Sequence, residues 1–208
     1  MVKIKRFTHT TIRIKSKNMI IYLDPYKIEN DDKADYIFCC HDHFDHLSIG
    51  DIKKLLKKTT KIFVPTSVIP KVLEFTENET TGFNLGEKLD FKEFGVEIVP
   101  AYNTNKEFHK KNTDWCGFIF TIEKKRIYYA GDTDVIPEMS LFTNIDLAIL
   151  PVSGVYVMNA EEAANATAII QPKMAMPAHY GPIVGTEKDA ERFKNKAHCD
   201  VIIDEVEL

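Results

Sequence analysis

No run of apolar residues in this sequence approaches the roughly 18 needed to cross a bilayer. The first residues also lack the basic start, apolar stretch and small-residue cleavage site of a secretory leader, so the chain is expected in the cytoplasm. No CxxC spacing occurs among its four cysteines, Cys39, Cys40, Cys116 and Cys199. Neighbours on a strand face opposite ways, so Cys39 and Cys40 are not expected to pair, and all four read as reduced thiols in or near the core. There is no GxSxG and no reactive-cysteine context, which removes the usual side-chain nucleophiles. Repeats, low-complexity tracts and Pro/Gly/Ser-rich linkers are absent too, and 208 residues are expected to form one domain spanning 1–208. Net charge is small: 27 basic against 31 acidic residues, or -4. That gives no global reason to expect nucleic acid or an anionic membrane as partner.

What is present is a normal core composition, 44% apolar and 28% charged, arranged in short apolar runs. KIKRF, TTIRIK, NMIIYLDP and ADYIFCC read as early strands, as do KIFVP, KLDF and VEIVPAY further on. CGFIFTI and RIYYAGD form a hairpin-like pair; IDLAILPV, MAMPAHYG and a final DVIIDEV complete the strands. Helices are expected at SIGDIKKLLKK with Ser48 as N-cap, at TSVIPKVLEF, at AEEAANATAII with Asn159 and Glu162 as a capping box, and at TEKDAERFKNKA. Residues 103–115 show neither periodicity and read as a loop. Strands in runs that later alternate with helices predict an α/β, α+β layered sandwich.

HDHFDH, residues 41–46, holds three of the seven histidines. On extended backbone, His41 and His43 at i and i+2 face the same side, within reach of one ion. Asp45 and His46 follow where the loop turns and can face a second. Six residues cannot complete two coordination spheres, so distant donors are required. The chain offers His109 in the long loop, Asp132 in YAGDTD and His179 in PAHYG, all just past apolar strands, where sites collect. His109 completes the set begun by His41 and His43, and His179 the set begun by Asp45 and His46. Asp132, with two oxygens, bridges them. The donors suit two divalent ions, zinc first, with manganese, nickel and iron also compatible.

The order HDHFDH, His109, GDT with Asp132 and PAHYG with His179 resembles the metallo-β-lactamase superfamily. More narrowly it is similar to the small single-domain metal-dependent hydrolases of the ascorbate-6-phosphate lactonase-like group. FTHTT, YLDPY, VPAYNTNKEFH and LPVSGVY extend the likeness over nearly the whole chain. The departures are Cys40, where the family usually has threonine or serine, and FTHTT, where a glycine commonly precedes the histidine. The resemblance implies a four-layer αβ/βα sandwich with a dinuclear site at one edge. It also brings His9 near the metals, as a substrate contact or the proton donor to the leaving group. Asp24 either begins a turn or orients a ligand histidine. Asp42 reads as a solvent residue rather than a ligand. Lys106, Lys110 and Lys111 flank His109, either as a solvated loop or as a positive patch for an anionic substrate. Tyr156 and Tyr180 lie in neighbouring loops.

The expected chemistry is a hydroxide bridging two divalent ions, attacking an ester, lactone or phosphodiester-type small-molecule substrate, with Asp45 orienting the hydroxide. The alternative is a metal-binding protein without turnover, a sensing or partner-binding module. A flavin-linked di-iron redox protein is disfavoured because the chain has no room for a flavin domain. A homo-oligomer is compatible with the sequence.

Overall fold

The computed structural model describes residues 1–29 and 31–208. Two sheets of seven strands face each other. The first contains β1 (Val2–Arg6), β2 (Ile12–Ser16), β3 (Met19–Leu23), β4 (Tyr36–Phe38), β5 (Lys61–Pro65) and β6 (Thr80–Phe83). The second contains β7 (Lys88–Asp90), β8 (Phe94–Pro100), β9 (Cys116–Ile122), β10 (Lys125–Tyr129), β11 (Leu147–Pro151), β12 (Met174–Ala178) and β13 (Asp200–Val201). The last strand, β14 (Glu205–Glu207), crosses back to pair with β1. The orders are β14-β1-β2-β3-β4-β5-β6 and β13-β12-β11-β10-β9-β8-β7.

The helices are α1 (Ile49–Leu55), α2 (Ile69–Leu73), α3 (Ala160–Ile170) and α4 (Glu187–Lys196). Burial explains the layering. β2 alternates buried Ile12, Ile14 and Ser16 with half-buried Arg13 and Lys15, the pattern of a sheet with one inner face. Ile4, Ile14, Phe38, Phe118 and Phe120 fill the space between the sheets. β9 is buried on both faces: Phe118 and Phe120 point inward, while Ile119 joins Ala163, Ala166 and Phe193 of α3 and α4 outside. Ile52, Leu55 and Val72 of α1 and α2 cover the other sheet. The layers are therefore helix, sheet, sheet, helix, the sandwich expected from the sequence. Among the described residues, no helix is long and apolar enough to cross a membrane.

Three local expectations change. ADYIFCC is strand only through Phe38, so Cys39 and Cys40 already belong to the loop. DVIIDEV is not one strand: Ile202 N–H donates to Ala175 O in one sheet, and Asp204 O accepts from Arg6 N–H in the other. Ser48 stands at the N-cap of α1, but its hydroxyl donates to Asp51 at 2.6 Å instead of capping backbone. The expected capping box of α3 is present: Asn159 Oδ1 accepts from Glu162 N–H at 2.9 Å, and Asn159 N–H donates to Glu162 Oε2 at 2.8 Å.

Candidate metal centre

Strands end together at one edge, and each delivers a polar side chain there. Asp24 follows β3, His41 through His46 follow β4, Asp132 follows β10, Ser153 follows β11 and His179 follows β12. Parallel pairing of β3 with β4 and of β10, β11 and β12 aligns these carboxyl ends. Tight exits are needed to aim the side chains inward. His9, Asp24, His109 and His179 accordingly take left-handed backbone, with φ of 50, 44, 42 and 55°. That conformation costs a non-glycine residue about 1–2 kcal/mol and clusters at functional sites. Gly131, with φ of 63°, makes the exit from β10. A Cβ there would lie 2.6 Å from Cys116 O, so only glycine brings Asp132 into place.

Asp132 lies at the centre. Its Oδ2 is 3.1 Å from His109 Nε2, 3.2 Å from His179 Nε2 and 3.9 Å from His41 Nε2; its Oδ1 is 3.3 Å from His46 Nε2. His41 Nε2 is 3.0 Å from His43 Nδ1, and Asp45 Oδ2 is 3.5 Å from His46 Nε2. All seven sequence-singled residues therefore converge, and all but half-buried His43 are buried.

Two observations test whether a divalent ion fits. Donors at about 2.0–2.1 Å from a tetrahedral ion stand roughly 3.3 Å apart, the range these pairs span. His46 Nε2, His109 Nε2 and Asp132 Oδ1 are buried and, despite their proximity, none has an aligned hydrogen-bond partner among the described residues. Leaving such atoms unpaired is costly unless something else takes their lone pairs. The outward nitrogens, by contrast, are occupied. His109 Nδ1 meets Tyr156 O at 3.2 Å, His179 Nδ1 meets Ser153 Oγ at 3.0 Å, and His46 Nδ1 meets Asp24 Oδ2 at 2.7 Å. His41 Nδ1 lies 3.0 Å from Cys40 Sγ. With protons on Nδ1, each Nε2 turns a lone pair inward. His41, His43, His109 and Asp132 form one group with metal-binding spacing; His46, Asp132 and His179 form another.

The charges agree. Burial pushes the His41 imidazole well below its usual range, so it is neutral. Burial alone would raise the Asp132 carboxyl, but the facing His179 and His46 hold it well below the carboxylate range. Cys40 is a third neighbour of His41 and His46, but on their Nδ1 side. Burial, with the Asp24 charge, raises its thiol far above the ordinary value. It stays protonated and keeps the core-thiol role read from the sequence.

Other singled-out residues fall as follows. His9 is fully buried, with Nε2 2.9 Å from Asp45 Oδ2, and has no exposed face toward a substrate. Asp24 orients His46 rather than merely opening a turn. Asp42 pairs with Lys71 on the outside. The positive patch does not form: Lys106 is paired with buried Asp134, Lys111 with Glu138, and only Lys110 of the three lacks a carboxylate partner among the described residues. Tyr180 is buried beneath the Arg6 guanidinium, 4.1 Å from its ring. Sequence reading missed Trp115, whose ring lies 4.9, 4.8 and 5.4 Å from those of His41, His43 and His109. It also missed Asp134, which accepts from Thr104 N–H at 2.8 Å and pins the long loop. No local pattern marks either residue, because each acts on partners far along the chain.

Comparison with known proteins points to one family. The family profile described as a beta-lactamase superfamily domain matches residues 16–180. A Nanoarchaeum equitans protein named as a metal-dependent hydrolase is 33% identical over 205 residues, covering 94% of this chain and 92% of the relative. A crystal structure from Parabacteroides distasonis, assigned to the metal-dependent hydrolases, superposes with a TM-score of 0.86 at 30% identity, over 98% of this chain and 92% of the other. The metallo-beta-lactamase fold protein YhfI of Bacillus subtilis matches in fold, with a TM-score of 0.78 at 15% identity over 100% of both chains.

Proposed function

Because the chain belongs to the metallo-β-lactamase superfamily and is a metal-dependent hydrolase, we propose that its buried cluster holds two divalent ions, zinc first, and hydrolyses an ester, lactone or phosphodiester-type substrate. His41, His43 and His109 would hold one ion and Asp45, His46 and His179 the other, with the Asp132 carboxylate placed between the two sets. The observation that carries this is the set of buried atoms His46 Nε2, His109 Nε2 and Asp132 Oδ1, which lack a hydrogen-bond partner among the described residues yet lie beside one another around Asp132. The ions would supply Lewis acidity, polarising the substrate oxygen and making water nucleophilic near neutral pH.

The chain's own groups do the positioning. Burial would raise the Asp45 carboxyl, but the His9 hydrogen bond and the His46 charge outweigh it and keep Asp45 ionised. Held by His9 Nε2–H, Asp45 orients the attacking water. His9 is thereby assigned to holding Asp45 and not to protonating the leaving group. Its own imidazole is lowered by burial, against the Asp45 hydrogen bond.

Washed protein reconstituted with zinc is expected to hold about two ions per chain. A chelator should remove hydrolysis, and zinc or manganese should restore it. One ion or none sinks the dinuclear reading. Trp115, the only tryptophan, gives a separate readout. Adding cobalt to metal-free protein is expected to change its emission, and the double variant His41→Ala/His43→Ala should lose that change. Unaltered emission at saturating cobalt in the parent protein argues against an ion at that trio.

A further inference from the structure

A single exposed apolar side chain is ordinary, but two that flank one polar cluster can together form a ligand-contacting patch. Phe44, between His43 and Asp45, is 66% exposed, and Phe108, beside His109, is 46% exposed. Neither is loose. The Phe44 ring meets the half-buried Tyr26 edge-on at 5.9 Å, and Phe108 meets Tyr156 edge-on at 4.7 Å. Both braces rest on the cluster. Tyr26 lies 6.1 Å from the His9 ring, and His9 holds Asp45. Tyr156 O accepts from His109 Nδ1–H. One aromatic pair therefore borders the Asp45 side of the cluster and the other the His109 side.

Most nearby cationic side chains are already paired; Lys110 and Lys27, whose ammonium lies 5.6 Å from the Tyr26 ring, lack a carboxylate partner among the described residues. Unpaired Lys or Arg donors would strengthen binding of a phosphate or carboxylate. Lys106 is taken by Asp134 and also lies 3.9 Å from Glu162; Lys111 is taken by Glu138; Arg6 is stacked on Tyr180 and bonded to Asp204.

We propose that Phe44 and Phe108, braced by Tyr26 and Tyr156, form a substrate-selecting rim on the two sides of this cluster, and that the substrate is a neutral ester or lactone bearing an alkyl chain or aromatic ring. This rests on the hydrolase reading above and narrows it. The apolar portion would lie on the two phenylalanine rings while the carbonyl reaches the cluster, so that binding energy from the non-reacting part raises kcat/KM. Each methylene fully buried on those rings multiplies affinity by about fourfold.

The test uses zinc-loaded protein and two readouts. Calorimetry compares acetohydroxamate, hexanohydroxamate and phenylacetohydroxamate, which bind metal sites without turnover. Kinetics compare neutral esters and lactones of increasing acyl length with a carboxylated ester and a phosphodiester of similar size. The parent protein is expected to bind hexanohydroxamate at least about tenfold more tightly than acetohydroxamate. Phe44→Ala and Phe108→Ala should each shrink that ratio severalfold, and Phe44→Leu should keep most of it. Both side chains are exposed, so truncation leaves the core intact, and zinc content measured on each variant separates loss of metal from loss of rim. A ratio near one in the parent protein, a ratio unchanged in both alanine variants, or a preference for the anionic substrates overturns the rim. If the hydroxamates follow the expected order but no neutral ester or lactone is turned over by protein holding two zinc ions, the rim stands as an apolar ligand site and the ester and lactone chemistry falls.

Discussion

Asp132→Ala is expected to lower hydrolysis by about a thousandfold or more, the scale on which removing one charge-stabilising group acts in hydrolytic sites, and to weaken metal binding at both ends of the cluster. Among the described residues, its carboxylate is the group that faces His41, His46, His109 and His179 together. No neighbour can replace it, because the other central carboxylate, Asp45, is turned toward His9. The stability readout separates this from misfolding. An ion bound at a thousand times its dissociation constant stabilises the native state by about 4 kcal/mol. For a chain of this length that raises Tm by roughly 10 °C. The parent protein should show such a rise on adding zinc. The variant should stay folded without metal and show little or no rise. A variant that still gains the full increment places the ions elsewhere.

The cluster was legible because metal chemistry narrows the residue types. Donors must be imidazole or carboxylate, and a short spacing such as HDHFDH is hard to mistake. Asp132 and His179 could be read because both end buried strands with strong apolar signals. What holds them was not legible. Lys106 is a charge anyone can see, but its partner Asp134 lies 28 residues away, so a loop that looked cationic is neutralised. Ser48 and Asp51 look like the start of a capping box. Yet Asp51 also accepts Lys27 N–H and Ile28 N–H from a neighbouring loop, and that tertiary demand draws the serine hydroxyl to the carboxylate. DVIIDEV has the β-branched content of one strand, and nothing in that composition says that Val201 and Glu205 will join different sheets. Periodicity reports which face is buried, not which edge is vacant.

Asp24 is where fold and site depend on the same atoms, and its substitution has the other large expected effect. The carboxylate is fully buried. Oδ1 accepts Cys40 N–H at 2.8 Å. Oδ2 accepts His46 Nδ1–H at 2.7 Å, the Tyr129 hydroxyl at 2.6 Å from the opposite sheet and the Cys40 thiol at 2.9 Å. Asp24→Ala strands these donors without water, and removing one partner of such a buried charged network costs about 3–5 kcal/mol. Chemical denaturation of the metal-free variant should show that loss. Asp24→Asn is the sharper test. Asparagine tolerates the left-handed φ of 44° and keeps the shape, but an amide NH₂ turned toward His46 can no longer accept its Nδ1 proton. The imidazole then favours the tautomer with hydrogen on Nε2, the atom that faces Asp132 and Asp45. The expected outcome is a 10- to 100-fold loss of affinity for the ion held by Asp45, His46 and His179. The ion beside Trp115 should still bind and still change its emission. Equal loss at both ions would mean that Asp24 supports the cleft only as a structural staple. Unchanged binding at both would mean that the His46 tautomer is set by some other group.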